Sequence, residues 1–135
     1  MTTKNKGGCL CGAIRYSFTG APVMEAVCHC THCQKQSGTA FSALIGVAES
    51  NLTVEGTPKN YADKGESGGS VTRQFCANCG SPLFSLVESA PGMVFVKAGT
   101  LDDPSGFAPS IHFWGKSKQL WVELGDVPVV EANPG

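Results

Sequence analysis

The sequence predicts a mainly β protein of short antiparallel sheets with little helix, pinned internally by metal ions. Three observations carry this. Among 135 residues, 17 glycines and 8 prolines repeatedly interrupt short apolar runs, which is the punctuation of strands and turns. Apolar and polar residues alternate with period two in those runs, the pattern of a half-buried strand, and no long segment has helical period. Seven cysteines fall into three tight groups: Cys9 with Cys11, Cys28 with Cys30 and Cys33, and Cys76 with Cys79. That grouping suits metal ligands better than a disulfide framework.

Taken along the chain, residues 13–18 read as a strand with Ile14, Tyr16 and Phe18 on one face and Ala13, Arg15 and Ser17 on the other. The Cys9-Leu10-Cys11 and Cys28-His29-Cys30 segments are expected to be extended, so that each cysteine pair shares a face. After Cys30 a short helical turn covers residues 31–36, with Gly38 as its C-terminal stop. Strand-like runs follow at residues 40–47, 52–55, 71–75, 83–87, 93–98, 110–114 and 119–124. Residues 57–70, with Pro58 and a glycine- and serine-rich stretch after Gly65, read as a mobile loop. With no internal repeat and no long linker, residues 1–135 are expected to form a single zinc-binding domain.

Composition excludes several functions. Charged residues make up 16% of the chain and the formal net charge is -1, so there is no basic field to hold nucleic acid or an anionic membrane. The longest apolar stretches, near Phe41 and near Met93, fall far short of the roughly 20 residues of a spanning helix. The first eight residues lack the apolar core of a secretory signal. A cytoplasmic protein with reduced thiols is therefore expected, and an odd number of cysteines fits that expectation.

The spacings say what the thiols can do. In Cys76-Ala77-Asn78-Cys79-Gly80 the loop is tight enough for two thiolates to reach one zinc at about 2.3 Å, and Gly80 accepts the positive φ such a turn needs. Cys9 and Cys11 can pinch the same ion, giving a closed four-thiolate structural site that ties the start of the chain to a knuckle about 65 residues later. Such a site contributes on the order of 10 kcal/mol to folding. Cys28, Cys30 and Cys33 offer three ligands to a second ion that wants four, and three protein ligands with an exchangeable position is the arrangement of catalytic zinc. The fourth position could be open or filled by His29, His32 or His112. The triad could also borrow a cysteine from another pair, but keeping each local cluster intact is the simpler assignment.

These residues resemble the glutathione-dependent formaldehyde-activating enzyme family, which also includes centromere protein V-like proteins. The resemblance runs through Gly7-Gly8-Cys9-Leu10-Cys11-Gly12, through Cys28-His29-Cys30-Thr31-His32-Cys33-Gln34-Lys35-Gln36-Ser37-Gly38, and through Phe75-Cys76-Ala77-Asn78-Cys79-Gly80. Later echoes occur at residues 98–102 and from His112 through Trp121 to Pro128. The resemblance implies a β-tent type fold with two zinc ions per chain. Cys9, Cys11, Cys76 and Cys79 would hold the structural ion, and Cys28, Cys30 and Cys33 the catalytic one. It further implies a carbon-sulfur lyase of the S-(hydroxymethyl)glutathione synthase kind, whose partner is a small thiol or thiol adduct such as glutathione.

Two functions from different classes follow: that lyase, or a non-catalytic zinc-stabilised binding module. Lys35, Lys64, Arg73, Lys97, Lys116 and Lys118 are the cations available to a carboxylate-bearing substrate, and each is expected to be a solvated surface charge. Phe41, Phe113, Trp114 and Trp121 are expected in the core. The run Gln36-Ser37-Gly38-Thr39 either lines a pocket beside the triad or simply ends the knuckle.

Overall fold

The computed structural model describes residues 5–132. Two sheets form the body. The smaller joins β1 (Lys6–Gly8), β2 (Arg15–Phe18) and β5 (Leu52–Glu55) in the order β1-β2-β5, with both pairings antiparallel. The larger has seven strands: β3 (Met24–Cys28), β4 (Ser42–Ala48), β6 (Lys59–Lys64), β7 (Ser70–Phe75), β8 (Pro82–Val87), β9 (Met93–Lys97) and β10 (Ile111–Phe113), in the order β10-β3-β4-β9-β8-β7-β6. Its pairings are antiparallel, as expected, except that the short edge strand β10 runs parallel to β3. A parallel pair needs a long connection rather than a hairpin, and β3 and β10 are separated by most of the other strands in sequence.

The predicted period-two face of the first hairpin is real. Ile14, Tyr16 and Phe18 are buried and pack on Ile45, Val47, Leu83, Phe84, Val94 and Val96 from the large sheet. The Tyr16 and Phe84 rings meet edge to face at 5.3 Å, a favourable aromatic arrangement. The Tyr16 hydroxyl pairs with Thr100 Oγ1 at 2.7 Å, and Thr100 in turn donates to the Lys97 carbonyl. Burial pushes the Tyr16 phenol up to about 12. Gly7 is required here, because a Cβ would collide with the Thr100 carbonyl and the Tyr16 ring. A second core holds Ala26, Cys28, Cys30, Cys33, Phe113 and Trp114, with Met24 and Leu44 packed against it.

The short helix α1 (Thr31–Ser37) sits where the spacing placed it, ended by Gly38 in the left-handed conformation at φ 72°. Three expectations are corrected. Residues 57–70 are not a loop: Lys59–Lys64 is an edge strand, paired residue for residue with β7, and only the turn between them is irregular. That strand is polar on both faces, so no alternation betrays it. Residues 119–124 form no strand, and Leu120 and Trp121 are exposed rather than core. Cys9 and Cys11 lie in the turn between β1 and β2, where the Gly12 amide donates to the Cys9 carbonyl at 3.1 Å, so the pair converges through a tight turn and not along an extended strand. Among the described residues, no helix is long and apolar enough to cross a membrane.

Candidate metal centres and the pocket beside them

The first cluster is assembled from two turns. Cys9 and Cys11 come from the β1–β2 turn, and Cys76 and Cys79 from the turn between β7 and β8, just after a register shift at Gln74 and Phe75 re-aims the chain. The Gly80 amide donates to the Cys76 carbonyl at 2.8 Å, with Gly80 at φ 80° as the knuckle demands. All four sulfurs lie within 4.8 Å of one another. Cys11 Sγ is 3.7 Å from Cys9 Sγ and 3.8 Å from Cys76 Sγ. A regular tetrahedron with metal–sulfur bonds of about 2.3 Å has an edge of about 3.8 Å, so the donor set fits a thiolate-bound ion. Backbone amides support negative sulfur: Ile14 N–H donates to Cys9 Sγ at 3.3 Å, and the Asn78 and Cys79 amides donate to Cys76 Sγ at 3.4 Å. The Ser81 hydroxyl and amide bring the Cys79 thiol down to about 5.

The second cluster lies at the end of β3. Cys28 is its last residue, Cys30 is the N-cap of α1, and Cys33 sits one turn in. Cys30 Sγ accepts from the Cys33 amide at 3.2 Å, so the thiol takes the place of a capping hydroxyl and is fixed by the helix it starts. The three sulfurs lie within 4.8 Å of one another and all three residues are buried. Hydrogen bonds from the Cys28 and Cys30 thiols, with the cations of Lys97 and Arg73 nearby, hold Cys33 far below the ordinary thiol value, while the same thiol contacts push Cys28 up. One negative charge thus collects on Cys33, while Cys28 and Cys30 favour the thiol and donate to it.

Unlike the four-cysteine cluster, the triad faces a cavity of about 500 Å³, the size of a small-molecule site. One face of the large sheet forms its floor. Along that face Arg73 of β7 stands opposite Ser85 of β8, which stands opposite Phe95 of β9, with Lys97 two residues further on. The turn after β6 closes one side, where Glu66 accepts from the Thr31 amide and hydroxyl at the start of α1. Arg73 and Lys97, expected on the surface, are only 4% and 6% exposed and line this cavity. The Arg73 guanidinium donates to Asp63 Oδ2 at 2.9 Å and also reaches the Cys33 thiol. Lys97 Nζ donates to Ser42 Oγ at 2.6 Å, and burial brings its ammonium down to about 8 although the triad thiolates oppose the shift.

The model of the glutathione-dependent formaldehyde-activating enzyme family matches residues 4–117. The chain belongs to this family. A crystal structure of a Rhodobacter sphaeroides protein, a Northeast Structural Genomics target, superposes with a TM-score of 0.59 over 93% of this chain and 99% of that one. At 21% identity that likeness shows a shared fold. No curated protein matches the sequence.

Of the site residues expected in this member of the family, the structure brings together both cysteine groups as partitioned: four in one cluster, three in the other. No histidine joins either cluster. His29 is fully buried, its Nε2 hydrogen-bonded to His112 Nδ1 at 2.9 Å, and its backbone braces the triad through Phe113 and Gln34. Burial lowers both histidines, which favours the neutral rings. His32 turns outward to Asp63, at 3.0 Å. Phe113 and Trp114 are buried as expected but also wall the cavity. The polar run at residues 36–39 does not contribute to the cavity beside the triad. Sequence reasoning named Arg73 and Lys97 as candidates but put them on the surface, and it missed Ser85. The available signal was their period-two register with apolar neighbours, Val71 for Arg73 and Met93 with Phe95 for Lys97.

Proposed function

We propose that the protein is a zinc-dependent carbon-sulfur lyase that makes or breaks the bond between a small thiol and an aldehyde carbon. The observation that carries this reading is the contrast in completeness: three buried thiols ending at a cavity, with two buried cations beside them. Zinc held by Cys28, Cys30 and Cys33 would supply an open position that keeps a substrate thiol as the thiolate, and zinc at Cys9, Cys11, Cys76 and Cys79 would be structural.

The chain's own residues then do the rest. Arg73 and Lys97 place two positive charges where sulfur charge collects, in a cavity whose low polarity strengthens them. Lys97 is the proton partner. In addition, the Lys97 amine takes the thiol proton, the sulfur lone pair forms the bond to the carbonyl carbon, the carbonyl π pair moves to oxygen, and the Lys97 ammonium gives that oxygen the same proton. In cleavage the Lys97 amine takes the hydroxyl proton back, the C=O bond reforms, the C–S pair returns to sulfur, and the Lys97 ammonium returns the proton to the departing thiol. Atoms and charge balance as RSH + H₂C=O ⇌ RSCH₂OH. Ser42 holds the Lys97 side chain in place by accepting its hydrogen bond.

The test is formaldehyde release from hydroxymethyl adducts of a panel of thiols, followed with a trapping reagent beside metal analysis of the same preparation. Two zinc ions per chain and triad-dependent release from at least one adduct are expected. Release that survives Cys30→Ser unchanged would sink the reading.

A further inference from the structure

Accepting that a thiol adduct occupies this cavity, we infer that its organic body is apolar, an aromatic or branched hydrocarbon next to the C–S bond, and that a peptide thiol with free carboxylates is the poorer occupant. The walls beyond the triad are mostly hydrocarbon, from Met24, Leu44, Val87, Met93, Phe95 and Trp114, with Ser67 and Ser89 among the few neutral polar side chains. One carbon of formaldehyde would touch few of these, and a peptide would cover them with polar groups.

Charge points the same way. The two cations that line the cavity sit at its triad end: Arg73 is already paired with Asp63, and Lys97, bonded to the neutral Ser42, is the proton partner of the reacting oxygen. Glu66, bound at the start of α1, and Glu88 also line the cavity, and both are acidic. Glutathione's two carboxylates would therefore leave water for apolar walls and two acidic neighbours, a costly transfer when each is not met by a cation of its own. The wall is also held under strain, since Trp114 has φ 61° and ψ 42°, a left-handed conformation that a bulky residue adopts only when its surroundings enforce it. The orphan Ser85 hydroxyl, buried on the cavity floor without a hydrogen-bond partner, adds one detail. A buried hydroxyl left unmatched is rare, and here it offers a single neutral contact to an otherwise apolar guest.

The experiment titrates cobalt-substituted protein separately with 2-phenylethanethiol and glutathione, reading the thiolate-to-metal absorption. The aromatic thiol is expected to saturate the change at a concentration at least tenfold lower. Equal or tighter binding of glutathione overturns the inference, while adduct cleavage in the formaldehyde-release assay would still stand. Failure of both thiols to change the spectrum overturns the inference together with the open-site reading. Val87→Thr, which keeps side-chain shape on a half-buried strand position, is expected to weaken 2-phenylethanethiol several-fold and leave glutathione no weaker. An unchanged preference in that variant would mean that the thiol binds outside these walls.

Discussion

The two cysteine clusters use the same atoms and differ in everything around them. At the four-cysteine cluster, sulfur charge is met by peptide N–H groups of Ile14, Asn78 and Cys79 and by the Ser81 hydroxyl, all supplied by the turns that carry the ligands. At the triad one peptide N–H, that of Cys33, meets Cys30, while the cations come from side chains on distant strands, Arg73 on β7 and Lys97 on β9, and the sulfurs end at a cavity. Peptide dipoles are fixed and neutral, so they suit a charge that never changes. Mobile protons and whole cations suit a charge that arrives and leaves with a substrate.

The comparison breaks most sharply at Cys76→Ser against Cys30→Ser. A structural zinc supplies on the order of 10 kcal/mol, comparable with the whole stability of a domain, so Cys76→Ser is expected to lose the cooperative thermal transition. Cys30→Ser should keep it, because serine is itself a good N-cap and can accept the Cys33 amide that Cys30 Sγ accepts now. Its adduct cleavage should fall at least about a thousandfold with loss of the second metal ion. Circular dichroism melts and metal content on both variants decide this. Equal unfolding would mean that both clusters are structural.

The clusters were legible in the sequence because their spacing is local: a C-x-x-C knuckle closes on itself whatever the rest of the chain does. The same holds for Ile14, Tyr16 and Phe18, whose alternation marks the face that meets the core, and for Gly38 at the helix end. Arg73 and Lys97 could not be placed in this way. Their burial depends on strand register, Arg73 opposite Ser85 and Lys97 opposite Leu44, set by pairings across the whole sheet. The strand Lys59–Lys64 was hidden by its edge position and polar faces, and the apolar run around Leu120 and Trp121 misled because no neighbouring strand receives it.

The next effect in size concerns proton movement, which only the triad side needs. Lys97 lies at about 8, below its ordinary 10.5, because burial disfavours the ammonium. Both directions start from the free amine, which takes a proton from the thiol in addition and from the hydroxyl in cleavage, so kcat/KM for each should rise as pH rises through about 8. Lys97→Met should remove that limb from both profiles and cost about 10²- to 10³-fold in kcat/KM. Its melting temperature should not fall, since a buried charge is replaced by hydrocarbon of similar length. A variant that kept the wild-type limb would assign the titration to another group.

The smallest expected effect separates holding the cavity's charge from holding the hairpin. Asp63 accepts from both Arg73 and His32, and although its burial opposes ionisation, these partners keep its carboxyl below the usual value. Arg73→Gln leaves that carboxylate, 14% exposed, without its guanidinium, and should cost about 2 kcal/mol at neutral pH, less than a fully buried broken pair. A carboxyl with a depressed native value stabilises the fold above its unfolded value of about 3.9, and the contribution is lost as pH falls through the native one. The gap between wild type and Arg73→Gln in urea melts should therefore close on acidification. Asp63→Asn should abolish most of the same gap at neutral pH, because the double variant no longer strands a charge. A gap that persisted at low pH would show that Arg73 stabilises the sheet through its packed alkyl chain and not through its charge.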